Sequence, residues 1–218
     1  MKYKLKRVPY EETPILSAQV CDNDQMFADI AKLYFHDGWT IADMTYGRGV
    51  FWKQTDTNQF NVLQSDIEYD RSIHLQANAI DLPFATNSLD ALIFDPPYLL
   101  VGGLKTLKKS IDRGYRNANR GFAGRHAVRD MYFTFLDGAQ RAVKLGGLVI
   151  TKSMMQVESG GVRPQTTEIL YYAQDNGYKL VDWLVVVAKS TPTMRHPYQM
   201  HSRRNCSDFL VLANEATK

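Results

Sequence analysis

The chain has 218 residues, 44% of them hydrophobic and 22% charged, with a formal net charge of +3. At roughly 100–200 residues per domain this fits a single domain over residues 1–218, and such ordinary usage excludes a disordered, collagen-like or disulfide-stapled chain. No apolar run approaches the ~18 residues of a membrane span, and the basic start MKYKLKRVPYEE has no apolar stretch behind it, so neither a membrane segment nor a secretory leader is expected.

Residues 1–21 read as an N-terminal extension. A helix is expected to open near Asp22–Asp24, whose side chains suit an N-cap. Met26, Phe27, Ile30, Leu33 and Tyr34 follow helical spacing, and His36-Asp37-Gly38 closes the segment. Short apolar runs follow at 39–44, 60–66, 91–95 and 147–152. They lack alternation, as parallel strands covered on both faces do. Helices are expected over Arg129 to Lys144, with Gly146-Gly147 as the stop, and from Pro164 to Asn176, with Gly177 as the stop. The last two strands, 179–189 and 207–214, are joined by a segment too short for a crossover helix, so they pair antiparallel. The pattern predicts an α/β fold: a mostly parallel sheet with an antiparallel C-terminal hairpin, covered by helices.

Four stretches carry chemistry. The first, DMTYGRG (43–49), lies where the first of these parallel strands ends and a helix should begin. That is the edge at which open α/β sheets bind ligands. Gly47 and Gly49 allow a tight turn and a close backbone approach. The dinucleotide fingerprint fails because Trp52 stands where its third glycine belongs, and no Walker pattern is present. The second stretch ends in Asp66, a strand-end acid able to accept hydrogen bonds from two ribose hydroxyls, although such an acid alone is more often a turn former. In the third, NAIDLPF (78–84), Asn78 can pair with an adenine edge while Leu82 and Phe84 wall the ring. Taken alone, that segment reads as a turn with core anchors.

The fourth is DPPY, Asp95 to Tyr98, directly after the apolar strand ALIF. By average usage it should arise by chance in about one chain per thousand of this length. Pro96 and Pro97 fix φ and remove two N–H groups, leaving a rigid edge of carbonyls. Asp95 and Pro96 offer two acceptors for the two N–H bonds of a planar amine, and Tyr98 offers a ring for stacking.

Together these residues resemble the class I S-adenosylmethionine-dependent methyltransferases, and among them the DPPY-type amino-methyltransferases of nucleic acids. The similarity is greatest to the small phage and bacterial DNA adenine N6 methylases, over about residues 22 to 214. The resemblance implies a Rossmann-like, seven-stranded, mostly parallel sheet with the C-terminal antiparallel hairpin. It implies S-adenosylmethionine as cofactor, held by Asp43, Thr45, Tyr46, Gly47 and Gly49 in the glycine loop. Asp66 would hold the ribose, and Asn78 with Ala79 the adenine, where the family usually has Asp for Asn78. Asp95, Pro96, Pro97 and Tyr98 would form the catalytic loop. Such an enzyme flips the target base out of the duplex and transfers methyl directly to the amine, with no metal.

Between Gly102 and Arg129 stand eight cations against Asp112 alone, a local +7 that leaves −4 for the rest of the chain. This segment, 102–129, reads as a mobile basic loop over the substrate. Lys105, Lys108, Lys109, Arg113, Arg116, Arg120 and Arg125 are its expected phosphate contacts. A second basic stretch, Arg195-His196-Pro197 through Arg203-Arg204, could line the same groove. His196, His201 and Cys206 match no strong zinc template. Lys152, at the end of its strand, reads as a surface lysine. Cys21 and Cys206 demand no bridge, which fits a reduced, cytoplasmic setting.

Nucleic acid, DNA first, is the expected partner, with a homodimer or a recognition partner left open. The near alternative is an RNA enzyme, since tRNA guanine N2 methyltransferases also carry DPPY after an LPF-type segment. A cytosine N4 enzyme more often has Ser in place of Asp95, and a protein-glutamine methyltransferase Asn. A non-catalytic, methyltransferase-like nucleic-acid-binding subunit is the alternative from another class.

Overall fold

The computed structural model describes residues 3, 4, 6, 9, 14–67, 74–97, 126–158, 161–189 and 198–215. Strand β5 (Leu89–Phe94) is the clearest guide to the layers. Its side chains alternate between two cores. Ala91 and Ile93 join Met26, Phe27 and Ile30 of helix α1 (Asn23–Tyr34). Leu92 and Phe94 join Tyr132, Phe135 and Leu136 of helix α2 (Ala127–Ala142). Helix α3 (Gln165–Asp175) buries Ile169, Leu170 and Ala173 on that same second face. A sheet with helices on both faces explains why the strands read as unbroken apolar runs.

The remaining strands are β1 (Ala18–Val20), β2 (Thr40–Asp43), β3 (Asn61–Asp66), β4 (Leu75–Gln76), β6 (Val143–Ser153), β9 (Tyr178–Val187) and β10 (Cys206–Asn214), with a small hairpin of β7 (Gln156–Glu158) and β8 (Gly161–Arg163). The main sheet runs β4-β3-β2-β5-β6-β10-β9-β1. All its pairings are parallel except those of β10, which lies antiparallel to both β6 and β9. The expected seven strands and C-terminal hairpin are present. An eighth strand, β1, comes from the segment read as an N-terminal extension and pairs with β9 through Ala18↔Val185 to Val20↔Val187.

Three local expectations change. No α-helix follows β2: the chain makes 3-10 turns over Phe51–Gln54 and Thr57–Gln59, because Phe51 and Trp52 dive into the core beside α1. Gly146 and Gly147 do not stop a helix. Helix α2 already ends at Ala142, and the glycines lie inside β6, where a Cβ on Gly147 would sit 2.7 Å from the Asp90 carbonyl of β5. Asp22 occupies the N-cap position of α1 without a capping bond, and its carboxylate pairs with Lys189 at 2.6 Å. Among the described residues, no helix is long and apolar enough to cross a membrane.

Candidate active site

The site is built at the carboxyl edge of β2, β3, β5 and β6. Asp43 ends β2 and is only 2% exposed. One of its carboxylate oxygens accepts from the Thr45 N–H at 3.0 Å, and the other from Trp52 Nε1 at 2.9 Å. Burial pushes this carboxyl up to about 7, with the Trp52 and Thr45 hydrogen bonds opposing and the Asp95 charge adding to the rise. Asp43 therefore anchors the turn from beneath, and the surface a ligand would meet comes from Thr45 to Gly49.

That turn is held by three hydrogen bonds from its main-chain N–H groups, two to carbonyls and one to a carboxylate. Tyr46 N–H donates to the Ser65 carbonyl at 3.0 Å, Gly49 N–H to the Tyr46 carbonyl at 2.8 Å, and Gly47 N–H to Asp66 Oδ2 at 3.0 Å. Gly47 and Gly49 have φ of +51° and +65°, which L side chains avoid. Their surroundings differ. A Cβ on Gly49 would lie 2.8 Å from Tyr46 Oη, whereas one on Gly47 would meet nothing nearer than 3.8 Å. A Cβ on Gly47 would make only ordinary contacts, with Asp66 Oδ2 and the Thr45 carbonyl, so the backbone there is not crowded by other side chains.

Asp66 ends β3, and its carbonyl accepts from Ala77 N–H at 2.9 Å. That bond brings the Asn78 turn to the same edge. Asn78 Oδ1 accepts from Ile80 N–H at 3.2 Å, and Ala79 is buried. Leu82 is a core side chain against Gly138 of α2, so it acts as an anchor and not as a ring wall. Phe84 packs half-buried on the same core.

Asp95 follows β5 and is joined to the glycine turn directly. Its N–H donates to Thr45 Oγ1 at 2.8 Å. Pro96 is buried and Pro97 half-buried. The Asp95 carboxylate accepts from the Lys152 ammonium at 3.3 and 3.4 Å. This overturns the reading of Lys152 as a surface lysine: it is 5% exposed, and its ammonium lies 5.9 Å from the Phe51 ring centre and 5.8 Å from that of Phe209. Tyr132 closes the back by donating its hydroxyl to the Lys152 carbonyl, and burial holds that phenol well above its ordinary range.

The structure thus gathers Asp43, Thr45, Tyr46, Gly47, Gly49, Asp66, Asn78, Ala79 and the Asp95-Pro96-Pro97 segment at one sheet edge. Tyr98, Lys105, Lys108, Lys109, Arg113, Arg116, Arg120 and Arg125 lie outside the described residues, as does His196. Arg129 is described, and it pairs with its neighbour Asp130 at 2.7 Å. Sequence reading missed Lys152 and Trp52. The strand register explains the Lys152 contact: Phe94 and Thr151 are partners in two parallel strands, which brings the next residues, Asp95 and Lys152, side by side.

No family model matches the chain, and no curated protein matches it in sequence. Solved structures do resemble it in fold. TrmN from Thermus thermophilus matches 88% of this chain at 17% identity with a TM-score of 0.51. The chain spans about half of TrmN, 48% of its length. A methyltransferase solved with the Haloferax volcanii Trm112 methyltransferase activator matches 89% of this chain and 90% of its own, at 11% identity and a TM-score of 0.53. A SAM-dependent methyltransferase from Methanosarcina mazei matches 84% of this chain and 96% of its own, at 9% identity and a TM-score of 0.51. The architecture is the Rossmann-like fold of these methyltransferases, with the C-terminal antiparallel hairpin expected from the sequence.

Proposed function

We propose that the chain is an S-adenosylmethionine-dependent methyltransferase acting on the exocyclic amino group of adenine in DNA. One observation carries the reading: the Asp95 N–H is bonded to Thr45 Oγ1, so the amine-accepting loop and the glycine turn are a single unit. An amine acceptor locked to a ligand-binding turn is what group transfer between two bound molecules requires.

The residues suit this cofactor. Asp66 would take the ribose hydroxyls, Gly47 and Gly49 would admit the methionine part, and Asn78 with Ala79 would border the adenine. When bound, S-adenosylmethionine supplies the electrophilic methyl group. The chain's own work is to orient the nucleophile. An aromatic amine donates poorly because its lone pair is delocalised into the ring. Hydrogen bonds from its two N–H groups to the Asp95 carboxylate and the Pro96 carbonyl favour a pyramidal nitrogen with the lone pair aimed along the transfer line. Lys152 keeps the Asp95 carboxylate turned to that task. A base in a duplex reaches such a site only by flipping out, with Tyr98 as its stacking partner, and the basic residues of 102–129 would contact phosphates.

The test is transfer of labelled methyl from S-adenosylmethionine to unmethylated DNA and to unmodified tRNA, with nucleosides identified by mass spectrometry. N6-methyladenine in DNA, lost in Asp95→Ala, is the expected result. Label in tRNA guanine would move the assignment to the RNA enzymes. Cofactor binding without transfer to either would point to a subunit that needs a partner.

A further inference from the structure

A feature that this reading does not use is a cavity of about 440 Å³ on the other side of Lys152. Its size falls within the roughly 300–1,000 Å³ of small-molecule sites. It opens at the same carboxyl edge of the sheet, between the end of β6, the end of β9 and the start of β10. Lys152 and Met154 form its inner wall, Lys189 its outer rim, and Arg204, Asn205 and Ser207 the wall leading into β10. The hydrogen bond from Ala188 N–H to the Asn205 carbonyl, at 2.7 Å, ties its two sides together.

The lining is cationic. Lys152, Lys189 and Arg204 stand in it beside one carboxylate, Asp22; Lys189 engages Asp22 at 2.6 Å and Lys152 engages Asp95 behind the wall, so Arg204 is the cation that a ligand here would meet. Arg204 is half-buried, and Ser202 Oγ accepts from its Nη2 at 3.1 Å, which steadies the guanidinium. Its Nε is buried and has no hydrogen-bond partner among the described residues. Arg204 lines the cavity, and a planar guanidinium matches phosphate oxygens. Asn205 and Ser207 add neutral donors beside it.

We infer that this cavity is a phosphate site for the nucleic-acid substrate, placed to hold the backbone next to the target nucleotide. The inference rests on the reading that the chain methylates a base amine. A nucleotide presents its base at one end and its phosphate at the other. Lys152 stands between the amine-accepting Asp95 and the cationic cavity, so the two ends can be held at once. Arg204 is a binding residue in this arrangement, and the second basic stretch joins the site through it.

The test measures binding without turnover. A short fluorescein-labelled single-stranded oligodeoxynucleotide, and its duplex, are titrated with the full chain across a salt series. Arg204→Ala should weaken binding about tenfold and reduce the log–log salt slope by about one, while S-adenosylmethionine binding measured by calorimetry stays unchanged. Arg204→Lys, which keeps the charge, should keep the slope. If Arg204→Ala fails to fold, the exposed Lys189→Gln decides, with a smaller loss in the same direction. Unchanged affinity and slope in the variants would overturn the inference. So would displacement of inorganic phosphate, but not oligonucleotide, as the only Arg204-dependent effect, which would mark a free-phosphate site. Arg204-dependent binding without methyl transfer would uphold this site and sink the proposed reaction. Methyl transfer without Arg204 dependence would do the reverse.

Discussion

The Lys152 ammonium meets both carboxylate oxygens of Asp95, at 3.3 and 3.4 Å, with the lysine side chain 6% exposed and the aspartate side chain 23%. Removing the lysine takes a bound cation away from a partly buried carboxylate. Lys152→Met should lower unfolding free energy by about 1–3 kcal/mol. If Asp95 positions the amine, kcat should fall by about 10–100-fold, because small misplacements at a reacting centre are that costly. Lys152→Arg should recover part of both. Denaturant titration and single-turnover transfer measure the two effects, and unchanged kcat in Lys152→Met would exclude the lysine from the reaction.

The two glycines of the turn should respond differently to the same substitution. Alanine at either position costs about 1–2 kcal/mol for its left-handed backbone. At Gly49 the new Cβ also collides with the Tyr46 phenol, at 2.8–2.9 Å, whereas at Gly47 it meets Asp66 Oδ2 and the Thr45 carbonyl at ordinary contact distances of 3.8 and 3.9 Å. Gly49→Ala should therefore be the less stable protein by thermal melting. Gly47→Ala should be the one that loses cofactor affinity out of proportion to its stability. Equal melting temperatures would contradict the structure of the turn.

Asp43 makes stability depend on pH. Burial raises its carboxyl from the ordinary 3.8 to about 7. The folded protein then keeps a proton that the unfolded chain releases above about pH 4. This contribution is whole below about pH 4, shrinks as pH rises, and is gone above about pH 7. Asp43→Asn should flatten that slope at the cost of one hydrogen bond, because its single amide oxygen can accept from Trp52 Nε1 or from Thr45 N–H but not from both. Urea midpoints of both proteins from acid to neutral pH measure the difference, and parallel curves would refute it.

A buried polar relay braces the far end of β6. Asp208 accepts from Thr166 Oγ1 at 2.8 Å and from Trp183 Nε1 at 2.9 Å, and Thr166 Oγ1 meets Ser153 Oγ at 2.9 Å. Asp208→Ala should orphan these donors at about 1–3 kcal/mol each, not additively. Asp208→Asn, which keeps one acceptor, should lose less. A chemical-denaturation comparison with both variants near wild type would show the relay to be dispensable.

Much of this architecture is legible in the sequence because buried parallel strands leave continuous apolar runs, and Ala91–Phe94 is such a run on both faces. The turn at Gly47–Gly49 and the Asp95 loop are readable for the same reason: each directly follows a strand. What escaped reading depends on contacts between distant segments. Ala18–Val20 has no pattern of its own and becomes a strand only because β9 offers it an edge. The missing helix after β2 follows from two aromatics, Phe51 and Trp52, choosing the core over a regular helix. Lys152 looked like a solvated strand end because its partner, Asp95, is 57 residues away.

Strand β10 lies inside the sheet between β6 and β9, yet it is the last described strand in chain order. The other described strands all precede it in synthesis. Until residues 206–214 are made, the edges of β6 and β9 that face β10 lack their native partner. Phe209 to Ala213, all fully buried, fill that gap. A chain stalled or cut before Cys206 carries two open edges, each a template for pairing with another chain.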